Sequence, residues 1–341
     1  MIENSVVVLV WKRDTYLMEA INSVLNQTKQ ADEILIVGTL ENTEMIQKLK
    51  KNNKIILHLF DENQYKSVFE KVMYAMTLAK GKNVFFLEDD DLFDEHKIKF
   101  INKFTDKNYD IIKNDYINFH FDNVPEIYNP DLNFQKQEII TKNTNPFYIF
   151  QNKLWHNIST YIINRENYFK NTQKFESFFK ICLENKMKIE GDISLFLYGI
   201  EEGNIFKFLP KMYLTYYRIH NNNVSFVNKT SFGKKKSKEN EIKRCNEIIY
   251  NYQKVIDFQR KHHLKLNNLQ ELFFERDIIF YKIWVSLYKN DQKMLKENLK
   301  NFKKFKKFQN LFENLKISLF SFLLLHRLQK IKDMIFDNFM K

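Results

Sequence analysis

Four times before residue 90 the chain passes through a short, continuously apolar run, and between these runs lie stretches whose apolar residues recur at helical spacing. The runs are SVVVLV (5–10), DEILIVG (32–38), KIILHLF (54–60) and NVFFL (83–87). The stretches between them are TYLMEAINSVLNQ, TEMIQKLKK and YKSVFEKVMYAMTLAKG. Runs of four to eight apolar, β-branched residues read as strands buried on both faces, and the intervening 3.6-residue period reads as amphipathic helix. Strands that alternate with helices at such short spacing require parallel pairing through right-handed crossovers, with helices on both faces of the sheet. The first ~110 residues therefore read as a doubly wound α/β unit, in which ligands bind beyond the carboxyl ends of the strands.

Beyond this unit the pattern loosens. EHKIKFINKF reads as helix and YDIIKNDYINF as extended chain, while 120–150 is rich in Asn, holds three of the four prolines and reads as loop. NYFKNTQKFESFFKICLENK and DISLFLYGIEEG read as helical, as does the chain from about 237 onward, which contains no proline. The two cysteines, Cys182 and Cys245, form neither a disulfide framework nor a zinc pattern. The opening MIENSVVVLVWKR has no basic leader and too short an apolar run for a signal peptide, so a cytoplasmic location is expected. The net charge of +12 is unevenly spread: residues 231–341 carry 25 basic and 12 acidic side chains, residues 1–230 carry 29 and 30. A neutral body of 1–230 with a basic helical region of 231–341 is expected.

The fourth apolar run ends on four adjacent acids, Glu88, Asp89, Asp90 and Asp91. In extended backbone Glu88 and Asp90 point one way and Asp89 and Asp91 the other, so at least two carboxylates converge. Like charges that close raise one another's pKa unless a cation neutralises them. Magnesium or manganese meets that need, completing its shell with substrate phosphates and water. The plainer alternative is a solvated turn that caps the next helix.

Three ordered blocks carry a resemblance. VVVLVWKRDTYLMEAINSVLNQTKQADEILIVG, with Ser23, Leu25, Gln27 and Thr28, resembles the opening of family 2 glycosyltransferases. AKGKNVFFLEDDDLF resembles the same family's Asp-x-Asp-Asp passage, and GDISLFLYGIEEGNIFKFLPKMYLTYYRIHNNNVS its acceptor-side segment, with Tyr217, Arg218, His220, Asn223 and Ser225 in place. The resemblance spans about residues 4–226 and implies the GT-A nucleotide-sugar fold and inverting glycosyl transfer. It implies Glu88 and Asp90 as the two ends of a metal motif, with Asp90 the direct ligand and Asp89 and Asp91 beside it. His220 and Arg218 are then helpers toward metal or phosphate, although Arg218 could equally pair with an acid and His220 with surface groups. Asp192 stands at the position of the general base, with Glu190 as its rival and a helix N-cap as its other reading. Val10, Trp11 and Arg13 end the first strand where the family holds its nucleotide, since an aromatic face can stack on a base and Arg can meet phosphate.

There are departures from the family's pattern. Gly38 stands where the family has a base-contacting Asp, leaving Thr39 or Glu41 as substitutes. An upstream Arg-Asn pair is missing, with Lys66 and Lys71 nearby.

In the tail, NFKKFKKFQNLFENLKISLFSFLLLHRLQKIKDMIF interleaves Lys with Phe and Leu, and no stretch approaches the ~20 apolar residues of a bilayer span. Such a helix can lie on an anionic membrane surface, or pack on the catalytic part or on a second copy. The expectation is a Mg- or Mn-dependent glycosyltransferase using a nucleotide-sugar donor and a glycan or lipid-linked acceptor, at the inner face of the membrane. A nucleic-acid-binding protein would account for the tail but not for the acids or the neutral body. An inactive scaffold would suit Gly38 and the missing pair, and a nucleotidyltransferase is a lesser enzyme alternative.

Overall fold

The computed structural model describes residues 2–61, 68–105, 108–120, 136–141, 156–170, 204–220 and 268–302, with scattered positions between. The four expected strands form: β1 (Asn4–Trp11), β2 (Glu33–Thr39), β3 (Ile55–Leu59) and β4 (Asn83–Glu88). Between them stand α1 (Leu17–Leu25), α2 (Thr43–Lys50) and α3 (Val68–Leu78). Helix α2 begins at Asn42, whose side chain accepts from the Met45 N–H and satisfies one of the donors a helix start leaves open. The chain continues through β5 (Leu92–Phe93), α4 (Lys97–Ile101), β6 (Ile111–His120), β7 (Glu138–Ile140), a 3-10 turn (Ile158–Thr160), β8 (Tyr161–Asn164) and β9 (Phe206–Ile219).

These strands make one nine-stranded sheet in the order β3-β2-β1-β4-β8-β6-β9-β5, with β7 also paired to β9. The β3-β2-β1-β4 half is parallel throughout, as the alternation requires. From β4 onward the pairing is mixed: β8 runs antiparallel to β4 and β6, β9 parallel to β6, and β5 and β7 antiparallel to β9. The expectation of a mostly parallel sheet thus holds throughout the first half, whereas in the second only the β6–β9 pair is parallel. The second half is assembled from short or polar strands that lack the buried apolar signature.

Val6, Val8 and Val10 of β1, Ile34 and Ile36 of β2, and Phe85 and Leu87 of β4 share one core with Leu17, Ala20, Ile21 and Val24 of α1. The spacing i, i+3, i+4, i+7 puts those four helix residues on one face, which is why α1 packs down on the sheet. Helix α3 packs against β1 and β2. At the carboxyl end of β2, Gly38 has φ +148°, and a Cβ there would stand 1.9 Å from the Val10 carbonyl oxygen. No side chain fits between these strands.

Strand β9 carries an irregularity opposite Asn114–Tyr116, where Pro210 cannot donate to the ladder and Lys211 adopts φ 63°. The Lys211 N–H is taken up by Asp115 Oδ2 at 3.1 Å.

The chain divides into two compact units, one of Met1–Asn143, Leu154–Ile181 and Ile189–Gly233, the other of Thr144–Lys153, Cys182–Lys188 and Lys234–Lys341. The described part of the second contains α5 (Asn268–Lys289) and α6 (Gln292–Phe302), the helices expected after residue 237. They pack together, with Ile283, Leu287, Leu295 and Leu299 buried and Asn298 Nδ2 donating to Ser286 Oγ at 3.1 Å. Most of the 120–150 region and of the two helices expected within 167–202 lies outside the described residues.

Candidate active site

The four acids sit where β4 stops, at the carboxyl edge of the parallel half of the sheet. Strict alternation does not persist through them, because the backbone turns after Glu88 and the Asp91 N–H comes back to the Glu88 carbonyl at 3.3 Å. The turn swings Asp91 to the side of Glu88 and Asp90. One carboxylate oxygen from each of the three lies within 4.8 Å of the others. Asp89 faces the exit of β1, accepting from the Trp11 N–H at 2.8 Å and from Arg13 Nη2 at 2.6 Å. Its carboxyl is pushed up to about 6 by burial, and further by the charge of Asp90, against the pull of Arg13.

Asp90 and Asp91 are both buried. Asp90 Oδ2 is met by Arg13 Nη1 at 2.7 Å and His220 Nε2 at 2.9 Å. Asp91 Oδ1 accepts from the Arg218 N–H at 3.0 Å, while Asp91 Oδ2 is buried with no hydrogen-bond partner among the described residues. Burial first, and then the neighbouring charge of Asp90, pushes the Asp91 carboxyl up to about 8. Burial also works against the charge of Arg13, but Asp90, Asp89 and Glu88 outweigh it and hold the guanidinium above its usual value.

A buried carboxylate oxygen without a donor, in a group of three hard oxygen ligands, is the chemistry a divalent cation accepts. Magnesium or manganese therefore fits Glu88, Asp90 and Asp91, with His220 behind Asp90 as an outer partner.

Ser23, Gln27 and Thr28, the phrase that carries part of the resemblance, brace this turn from α1. Ser23 Oγ accepts from the Phe93 N–H at 3.0 Å. Gln27 Nε2 donates to the Asp94 carbonyl at 2.6 Å while its Oε1 accepts from the Ile98 N–H at 3.0 Å, and the Thr28 N–H donates to the Glu95 carbonyl at 2.8 Å. The motif fixes the chain that follows the acids.

Sequence reasoning missed a polar layer beneath the acids. Ser159 Oγ accepts from the Glu88 N–H at 2.9 Å and helps hold Asp91. Fully buried Lys97 donates from Nζ to the Ser159 carbonyl at 2.5 Å and to Thr215 Oγ1 at 2.8 Å. Lys113, also buried, donates to the His156 carbonyl at 3.0 Å and to Thr160 Oγ1 at 2.6 Å. Burial, reinforced by the charge of Lys113, holds the Lys97 ammonium well below its usual value. No local pattern marks these residues. Lys97 looks like the solvated face of a short helix, and Ser159 like a lone hydroxyl.

The expected nucleotide contacts are placed as follows. Val10 is buried, with its carbonyl against Gly38. Trp11 has the Lys71 ammonium 3.0 Å from its ring centroid. Arg13 bridges Asp89 and Asp90. Thr39 is buried and its hydroxyl donates to the Phe60 carbonyl at 3.3 Å, whereas the exposed Glu41 pairs with Lys12 at 3.3 Å. Arg218 is fully buried and paired with Glu19 at 2.6 Å, the acid pairing that the sequence left open. Asp192, Glu190, Lys66, Asn223 and Ser225 lie outside the described residues.

Fold and site together define an α/β protein whose candidate centre is a carboxylate cluster at the carboxyl ends of parallel strands. Residues 5–172, a little under half of the chain, match the family model of glycosyl transferase family 2. The chain is similar to an uncharacterized glycosyltransferase of Rickettsia bellii, at 29% identity over 106 residues, 30% of this chain and 15% of that one. It is similar also to one of Rickettsia felis, at 33% over 106 residues, 30% and 17% of the two chains. The matched stretch thus spans less than a fifth of these curated relatives. Among solved structures the chain is similar to S. aureus TarS 1–349, with TM-score 0.48 and 15% identity over 85% of this chain and 92% of that one. For TarS 1–349 in complex with UDP-GlcNAc the TM-score is 0.48, with 14% identity over 89% and 91%.

Proposed function

We propose that this chain transfers a sugar, with inversion, from a nucleotide-sugar donor to a hydroxyl of a glycan or lipid-linked acceptor, with Mg2+ or Mn2+ held by Glu88, Asp90 and Asp91. The observation that carries the reading is the convergence of those three carboxylates, with Asp91 Oδ2 unpartnered, at the carboxyl edge of a family 2 domain. When bound, the divalent ion supplies positive charge against the diphosphate that leaves. Around it the chain's own groups have distinct tasks. Asp90 and Asp91 keep the ligand oxygens in place, and Trp11 offers a face for the donor base. Asp192, or Glu190 in its stead, takes the proton from the acceptor hydroxyl as the new C1–O bond forms and the bond from C1 to the diphosphate breaks. The catalytic part is assigned to about residues 1–230.

The basic region 231–341 is proposed to rest on an anionic membrane face. No helix among the described residues is long and apolar enough to cross a membrane.

The test is nucleoside-diphosphate release from UDP-, GDP- and dTDP-sugars with Mn2+ or Mg2+, because slow hydrolysis of the donor needs no known acceptor. Metal-dependent release from one donor is expected, abolished in Asp90→Ala. Asp192→Ala should bind the donor normally yet fail to glycosylate once an acceptor is found. Silence across the panel, with no thermal shift from nucleotide plus metal, would retire the transferase reading in favour of an inactive scaffold.

A further inference from the structure

The side chain of Arg218 is among the largest that the fold buries completely, and it stands beside the acids. Its Nε donates to the Asp90 carbonyl at 2.9 Å and its Nη2 to Glu19 Oε2 at 2.6 Å. Its guanidinium carbon lies 4.1 Å from the Tyr16 ring centroid and 4.6 Å from that of Phe119. Its backbone N–H holds Asp91 Oδ1, which leaves Oδ2 as the oxygen without a donor. One residue of β9 thus fastens both the backbone of the acid turn and the orientation of its last carboxylate to helix α1.

From this geometry we infer that Arg218 is a positioning residue: together with Glu19 it forms a latch that sets Asp90 and Asp91 for the cation, rather than a contact to donor phosphate. The inference rests on the reading of the three carboxylates as a cation site. Two physical arguments favour it. A guanidinium between two aromatic faces and paired with a carboxylate would have to abandon all three partners to reach a phosphate. Its planar fork also serves two acceptors at once, Nε to the Asp90 carbonyl and Nη2 to Glu19, and a lysine ammonium at the end of a flexible stem cannot copy that. The irregularity of β9 that begins at Pro210–Lys211 lies upstream of this point and shifts the register of the strand's second half against β6 by four residues, from Asn114 opposite Leu209 to Phe119 opposite Arg218. The offset sets Arg218 opposite Phe119, whose ring flanks its guanidinium.

Mn2+ uptake by the full chain without nucleotide separates the two roles, read from the loss of the free-ion signal in electron paramagnetic resonance. Three variants are compared: Arg218→Lys, Glu19→Gln and the double substitution. Glu19 is half exposed, so Glu19→Gln spares the fold if Arg218→Lys does not, and far-UV circular dichroism checks each. As a latch, each single variant should weaken Mn2+ binding by about tenfold, the usual scale for groups that orient metal ligands. The double variant should be no weaker than Arg218→Lys, since both changes open the same device.

Wild-type Mn2+ affinity in folded Arg218→Lys and Glu19→Gln would overturn the inference, as would losses that simply add. A phosphate contact would instead leave Mn2+ uptake intact and lower affinity for inorganic pyrophosphate alone. Should the unaltered chain take up no Mn2+, the latch falls, while the transferase reading is judged separately by diphosphate release.

Discussion

Lys97 shows how much a single residue can hide. Its Nζ serves the Ser159 carbonyl and Thr215 Oγ1 under the acid turn, and it stands 3.9 Å from the Phe93 ring centroid. Burial disfavours its charge, so its folded pKa lies below the unfolded value of 10.5. Between those two values the unfolded chain binds a proton that the folded chain refuses. Stability from this group is therefore greatest above about pH 10.5 and declines as pH falls toward the folded pKa. Lys97→Met loses two hydrogen bonds but escapes this decline. Compared by urea denaturation from about pH 10.5 down to about pH 7, the variant should gain on the wild type as pH drops, and a constant difference would contradict the assignment. The same residue marks the limit of reading a sequence. Glu88 and Asp90 were legible because four adjacent charges at the end of an apolar run demand a reason. That Asp91 joins them, and Asp89 does not, depends on a turn that no alternation rule encodes.

Among elements, legibility followed the length of the uninterrupted apolar run. Strands β1, β2 and β4 are covered on both faces, and β3 shares their apolar run, so composition alone announces them. Strand β8 has four residues, β7 three and β5 two, and β9 mixes Lys, Tyr, Thr and Arg with a proline. Their pairing is decided by neighbours distant in sequence, so nothing local gives them away. The joint between α1 and α4 belongs to this scale as well. Gln27 is 2% exposed and holds both the Asp94 carbonyl and the Ile98 N–H. Gln27→Leu keeps the bulk but strands both backbone groups, and should cost about 2 kcal/mol of unfolding free energy in denaturant titration. It should also weaken Mn2+ uptake, because the segment after the acids is released. A variant as stable as the wild type would show that the brace is dispensable.

For the whole molecule, the uneven charge is the property to test. A body with 29 basic and 30 acidic residues and a tail with 25 and 12 should meet an anionic surface through the tail. The chain is expected to co-sediment with vesicles containing phosphatidylglycerol and not with pure phosphatidylcholine, binding less as salt rises. Removal of 231–341 should abolish this, and equal binding to both vesicle types would refute the electrostatic account. The crowding of Gly38 against the Val10 carbonyl bears on redesign. Every substitution at position 38 would first have to push two central strands apart, so no side chain can be added there to meet a ligand. With the donor base at this edge, as proposed, an engineer wishing to redirect donor choice should begin not with Gly38 but with its neighbours Trp11, Thr39 and Lys71.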